Sequence, residues 1–184
     1  MRKRTLLYIA ILFVVAAAFA CFGACHRVKP QSPSNRRTEA DSAQLAIIML
    51  NRQLAVSADK QLISYVKAMA DDDTLPYALH EFGFWFRFLS NDDQPRYQPQ
   101  EHVTVHTLVY TFDGKQLADL VDDVVVCGQN EMRCLNWVLM LMGGNESIEV
   151  LAPWYLAYGQ QGNDFAEPYQ NLRFVITTKP TGNN

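Results

Sequence analysis

The chain has 184 residues, a formal net charge of −3 and 49% hydrophobic residues. Such a length suits one domain with an extension. The acidic balance excludes a nucleic-acid role, because no basic stripe appears beyond the first 37 residues.

The chain opens on Met1-Arg2-Lys3-Arg4, followed by an apolar run from Leu6 to Ala20. Charge, apolar core and then small residues are the order of a secretory signal. The run is shorter than the roughly 20 residues a spanning helix needs. Phe22-Gly23-Ala24-Cys25 resembles the bacterial lipobox, whereas Ala18-Phe19-Ala20-Cys21 puts bulky Phe19 where a small residue is usual. Residues 1–24 are therefore expected to be a lipoprotein signal peptide, with Cys25 the acylated residue. Residues 25–38, with Pro30, Pro33 and few apolar side chains, read as a flexible tether. No acidic run follows Cys25. The expected location is the cell envelope, on a lipid anchor facing the periplasm.

Residues 39–81 read as a helical segment. Leu45, Ile48, Met49 and Val56 recur at helical spacing, and Leu62, Ile63, Val66, Met69 and Ala70 continue the pattern in a second helix. Ser57 or Asp59 is a candidate cap between the two. Asp71-Asp72-Asp73 ends the segment, since three acids sit badly at the negative end of a helix dipole. Consecutive acids of this kind rarely converge on a metal.

From Phe82 the period changes. Phe82 to Leu89 is dense in aromatics and reads as a strand, and Ser90 to Pro95 is turn chemistry. His102 to Phe112 is a second strand, closed by the turn signal Asp113-Gly114. Leu120 to Cys127 reads as a third. Asn130 to Met142 fits a short helix with Leu135, Val138, Leu139 and Met142 on one face, stopped by Gly143-Gly144. Ile148 to Leu151 and Leu172 to Thr178 complete the strands. Strands around one late helix define an α+β domain with a mainly antiparallel sheet.

Nucleotide-binding loops and the Gly-x-Ser-x-Gly elbow are absent. His102 and His106 would lie about 13 Å apart along a strand and cannot share a metal as they would on a helix. No cofactor or metal is implied. Cys127 and Cys134 have six residues between them rather than the two of a Cys-x-x-Cys pattern, so dithiol catalysis is excluded. Export to an oxidising compartment leaves a disulfide and two buried thiols equally open.

Pro153-Trp154-Tyr155-Leu156-Ala157-Tyr158-Gly159-Gln160-Gln161-Gly162 is followed by Glu167-Pro168-Tyr169-Gln170-Asn171-Leu172-Arg173-Phe174. These segments resemble the FKBP-type peptidyl-prolyl isomerases, in which a proline precedes Leu-Ala-Tyr-Gly and a proline-containing loop leads into a last Leu-x-Phe strand. Val103-Thr104-Val105-His106 before Asp113-Gly114, and Leu139-Met140-Leu141-Met142 before a glycine turn, are similar to that family in order and spacing. The resemblance covers residues 82 to 178. With the lipoprotein signal and helical preface, the whole chain resembles exported FKBP-type lipoproteins of Bacteroidetes, including those associated with gliding motility.

The resemblance implies an FKBP-like sheet wrapped around one short helix, in a domain spanning 82–184. It also implies a site that rotates X–Pro bonds in exported proteins. Tyr158 matches a hydrogen-bonding tyrosine and Phe174 an aromatic on the last strand. Leu117 stands for a wall phenylalanine, and Leu135 for a floor tryptophan. Departures from the family pattern are Thr107 for a tyrosine, Ala118 for an acid (with Asp119 next to it) and Leu135 itself. Trp137 points elsewhere on the helix. These departures keep a second expectation beside the enzyme: an inactive peptide-binding or assembly module of an envelope complex. The expected partners are proline-containing segments of exported proteins and the membrane. In related isomerases such a helical region mediates homodimerisation or client binding, and its apolar stripe here is equally explained by packing onto the domain.

Overall fold

The structure is a computed structural model that describes residues 35–70, 76–92 and 94–180. The signal segment, Cys25, most of the tether and Asp71-Asp72-Asp73 lie outside the described residues. The chain divides into two units, residues 1–44 and 45–184. No helix among the described residues is long and apolar enough to cross a membrane.

A single helix, α1 (Asn35–Met69), takes the place of the two expected. The reason is local: no glycine or proline interrupts residues 35–69, so nothing breaks the hydrogen-bond ladder at Ser57. Asp59 does not cap a helix; it accepts a hydrogen bond from the Tyr155 hydroxyl at 2.6 Å. Within the second unit, α1 turns Ala58 and Leu62 inward, at 3% and 1% exposure. Around them Asn51 accepts a hydrogen bond from Tyr169, Gln61 accepts one from Asn171, and the Tyr65 ring meets Phe112 at 4.8 Å. These contacts recur every three to four residues, which is one helix face. The apolar residues of the first half behave differently. Leu45, Ile48 and Met49 are each more than half exposed.

The second unit is built on one six-stranded antiparallel sheet. Its strands are β1 (Ala78–Leu79), β2 (Trp85–Ser90), β3 (His102–Tyr110), β4 (Gln116–Val125), β5 (Ser147–Ala152) and β6 (Leu172–Pro180). Their order across the sheet is β1-β2-β5-β6-β3-β4, which leaves β4 at one edge. This is the α+β fold with a mainly antiparallel sheet expected from the sequence. The two-residue strand β1 went unforeseen because so short a run has no readable period.

Alternation along β3 buries Val103, Val105, Thr107 and Val109, while His102, Thr104 and His106 face outward. In β6 it buries Leu172, Phe174, Ile176 and Thr178. Opposite faces follow from the two-residue repeat of a strand. Phe174 stands beside Val109 of β3 and Val150 of β5, at the centre of the sheet.

Onto that face packs α2 (Leu135–Leu141), burying Leu135, Val138 and Leu139, with Cys134 and Met142 buried at its two ends. This helix starts five residues later than the sequence suggests. Residues 130–134 form an irregular loop instead, with Arg133 N and Cys134 N bonded to Ala157 O and Leu156 O, while Asn136 holds the residues just before them. Its Oδ1 accepts from Cys127 N at 3.0 Å and Asn130 Nδ2 at 2.7 Å, and its Nδ2 donates to Gly128 O at 2.8 Å. A side-chain amide that satisfies loop groups in this way removes the pressure to make them helical.

Candidate functional site

A cleft of about 630 Å³ opens between β3–β4, the loop 128–132 and the start of α2. Thr107 and Leu120 form one wall; they are direct cross-strand partners. The opposite wall is the loop from Gly128 to Met132, held by Asn136 as described. Leu135 and Tyr158 close the bottom. Cys134 N donates to Leu156 O at 2.9 Å, and Arg133 N to Ala157 O at 3.3 Å. These two bonds fix the start of α2 against the turn that presents Tyr158.

That turn is tightly wound. Leu156 N and Ala157 N donate to Pro153 O, and Gly159 N donates to Trp154 O at 2.8 Å. The loop beyond closes on Gly162, whose φ is +65°. A Cβ added there would fall 2.2 Å from Ala166 O, so only glycine fits. Tyr158 then leans on two aromatics. Phe165 meets it edge-on at 5.2 Å and Phe174 lies at 6.0 Å.

Among the described residues the Tyr158 hydroxyl has no hydrogen-bond partner. Its pKa is pushed well above the ordinary value by burial first, then by Glu131, the Cys134 thiol and Asp122. The hydroxyl is therefore a protonated donor at every physiological pH, on a cleft whose lining mixes apolar Leu120, Met132 and Leu135 with the acids Asp122, Asp123 and Glu131.

The structure divides the site residues named from the sequence. Tyr158 and Leu135 line the cleft, joined by Thr107. Phe174 is fully buried and supports Tyr158 from behind without lining the cleft. Leu117 packs against the core close to the hairpin turn and is not part of the cleft wall. Leu120 occupies that wall instead, because the register sets Leu120 and not Leu117 opposite Thr107. Ala118 sits across from Val109. Asp119 faces the other side of the sheet, where its Oδ1 lies 2.7 Å from His106 Nε2. Trp137 stacks on Phe82 at 4.3 Å, away from the cleft.

Residues that sequence reasoning missed are Asp122, Glu131 and Met132. Their signal was hidden. Asp122 lies within a segment read only as a strand, and residues 130–132 were read as the start of a helix.

The cysteines correct an expectation. Both thiols are free, with Cys134 buried and Cys127 exposed beside Met140 at 3.9 Å. They form neither a disulfide nor a pair of buried thiols. Burial pushes the Cys134 thiol pKa up strongly, so it stays a neutral packing group. Among the described residues no group of three or more His, Cys, Asp or Glu is placed to hold a metal ion.

With that geometry in place, likeness to solved structures shows the fold. FkpA from Escherichia coli superposes with a TM-score of 0.56 at 16% identity, over 92% of this chain and 82% of that one. A peptidyl-prolyl cis-trans isomerase from Pseudomonas syringae gives 0.54 at 19%, over 68% and 93%. The N-terminal domain of FKBP42 from Arabidopsis thaliana gives 0.53 at 15%, over 58% and 92%. The chain has the FKBP-like α+β fold. No family model matches the chain, and no curated protein matches it.

Proposed function

We propose that the chain is a peptidyl-prolyl cis-trans isomerase of the cell envelope, acting on proline-containing segments of exported proteins. The observation that carries this reading is the free Tyr158 hydroxyl at the bottom of a cleft walled by Leu120, Met132 and Leu135. Rotation about an X–Pro bond faces a barrier of about 20 kcal/mol and takes tens of seconds unaided. The planar amide is favoured by conjugation and by water on its carbonyl. The apolar patch of Leu120, Met132 and Leu135 within the cleft strips that water and so favours the twisted amide, in which the conjugation is broken. Tyr158 donates to a substrate carbonyl and fixes the peptide in place. No bond to carbon is made or broken, so no nucleophile is needed.

Thr107, Ala118 and Leu135 favour the second reading, an inactive module that binds peptide in an envelope complex. Thr107 and Leu135 offer less aromatic surface to a proline ring than tyrosine and tryptophan would. A weak enzyme lies between the two.

The rest of the proposal rests on the sequence. The pattern of residues 1–25 supports an acylated Cys25 and a periplasm-facing anchor. It also supports the exported lipoprotein type seen in Bacteroidetes, gliding-associated proteins among them. The uncovered apolar residues Leu45, Ile48 and Met49 support self-association through α1.

The test is a protease-coupled isomerisation assay on the folded chain and on Tyr158→Phe. Turnover well above the uncatalysed rate, reduced in the variant, supports the enzyme. A flat trace from folded protein leaves the binding module.

A further inference from the structure

The cleft carries charge that the isomerisation chemistry does not use. Asp122 lies on β4 across from buried Val105, on the side of the sheet that faces the cleft. Glu131 reaches the same space from the opposite wall. Both carboxylates act electrostatically on the Tyr158 hydroxyl, which places negative charge on either side of the bottom of the cleft. Neither has an ion-pair or hydrogen-bond partner among the described residues. Asp123, on the rim, differs: its Oδ1 accepts from Thr104 Oγ1 at 2.6 Å. No lysine or arginine lines the cleft.

Two exposed carboxylates, without partners among the described residues, face one cleft from opposite walls and draw a cation into it. Two acids with no third ligand fall short of a metal site. A cationic side chain, arriving on a peptide that already fills the apolar part of the cleft, meets the charge and geometry together.

We infer that the cleft selects proline segments with a lysine or arginine next to the proline. This deepens the proposed function and rests on it. The cleft and Tyr158 constitute the site; the carboxylates decide which peptide it accepts. An exposed ion pair changes affinity only a few-fold. Two exposed acids, each attracting lysine and repelling glutamate, therefore give together on the order of a tenfold preference for Lys-Pro over Glu-Pro.

The test uses the full chain and three peptides identical except for lysine, leucine or glutamate before the proline. Binding and cis–trans exchange are followed together by NMR, which needs no protease and so imposes no sequence bias. The inference expects the lysine peptide to bind on the order of ten times more tightly than the glutamate peptide. The ratio should shrink in high salt and vanish in the Asp122→Asn, Glu131→Gln double variant. Asp119→Asn, on the outer face, should leave the ratio intact, and a melting curve on each variant checks that it folds. Equal binding of all three peptides overturns the inference and leaves the isomerase reading standing. A preference that survives in the double variant also overturns it. Binding of none of the peptides overturns both readings.

Discussion

Glu149 is the one carboxylate on which several elements of the sheet converge. Its Oε2 accepts from Tyr77 at 2.8 Å and from Arg87 of β2 at 2.5 Å, and its Oε1 accepts from Arg173 of β6 at 2.6 Å. Its side chain is 4% exposed. Burial alone would raise its pKa, but the hydrogen bonds from Arg173, Tyr77 and Arg87 outweigh it and hold the carboxyl below its ordinary value of 4.5. Glu149→Gln keeps the shape and removes the charge. It leaves one amide N–H group facing a guanidinium, so that a donor meets a donor. Charge-assisted hydrogen bonds contribute about 1.5–3 kcal/mol each. Part of that is offset because the variant no longer desolvates a carboxylate. Breaking a buried pair from one side costs about 3–5 kcal/mol, and the lower figure applies because Arg87 and Arg173 keep 15% and 20% exposure and cation–π contacts with Tyr77 and Tyr110.

For a unit of this size a loss of about 3 kcal/mol lowers Tm by roughly 6–12 °C. A second readout is acid stability. Because the folded pKa is depressed, the stability Glu149 contributes is present above pH 4.5 and lost as pH falls through the folded value. Urea unfolding from pH 7 downward should therefore show a shallower acid loss in Glu149→Gln than in the wild type. A variant that melts with the wild type and keeps the same acid slope would refute the assignment of charged hydrogen bonding to this cluster.

Asn136→Ala releases the loop 127–130, so amide exchange there should quicken while α2 stays protected, and peptide binding should weaken about five- to tenfold, as expected for one or two lost hydrogen bonds; hydrogen-exchange mass spectrometry with a binding titration checks both. Gly162→Ala meets Ala166 O at 2.2 Å in a left-handed backbone and should cost about 2 kcal/mol or more in thermal unfolding. Leu62→Ala should destabilise by about 2–4 kcal/mol, whereas Ile48→Ala, already 57% exposed, should stay within about 0.5 kcal/mol. If α1 self-associates, Ile48→Ala should lower the sedimentation mass at micromolar concentration while leaving the monomer's melting unchanged.

The elements with a strong period were legible from the sequence. Alternation in Leu172 to Thr178 and in Val103 to Val109 set which side chains face inward, and the structure buries them as that period requires. Asp113-Gly114 marked the hairpin, and Gly114 takes the positive φ of +90° that the turn demands. Tyr158 was legible only through the resemblance of Pro153 to Gly162 to the FKBP-type isomerases, and it lines the cleft in the structure. Helix α1 was legible as helix, yet its buried face was misread. Leu45, Ile48 and Met49 are as apolar as Leu62, and periodicity cannot tell a covered stripe from a bare one.

Tertiary structure alone decided the rest. The register of β4 on β3 set Leu120 rather than Leu117 opposite Thr107. The same register turned Asp119 outward to His106 and brought Asp122 to the cleft. Asn136 holds residues 127–130 in a loop that runs on through residues 130–134, where the sequence reads as the start of a helix. Cys127 and Cys134, close in sequence, were set in exposed and buried surroundings. Local preference depends on a few consecutive residues and is written into them. Which side chains share one cleft depends on pairings between strands far apart in the chain, and those are fixed only when the whole sheet closes over its core.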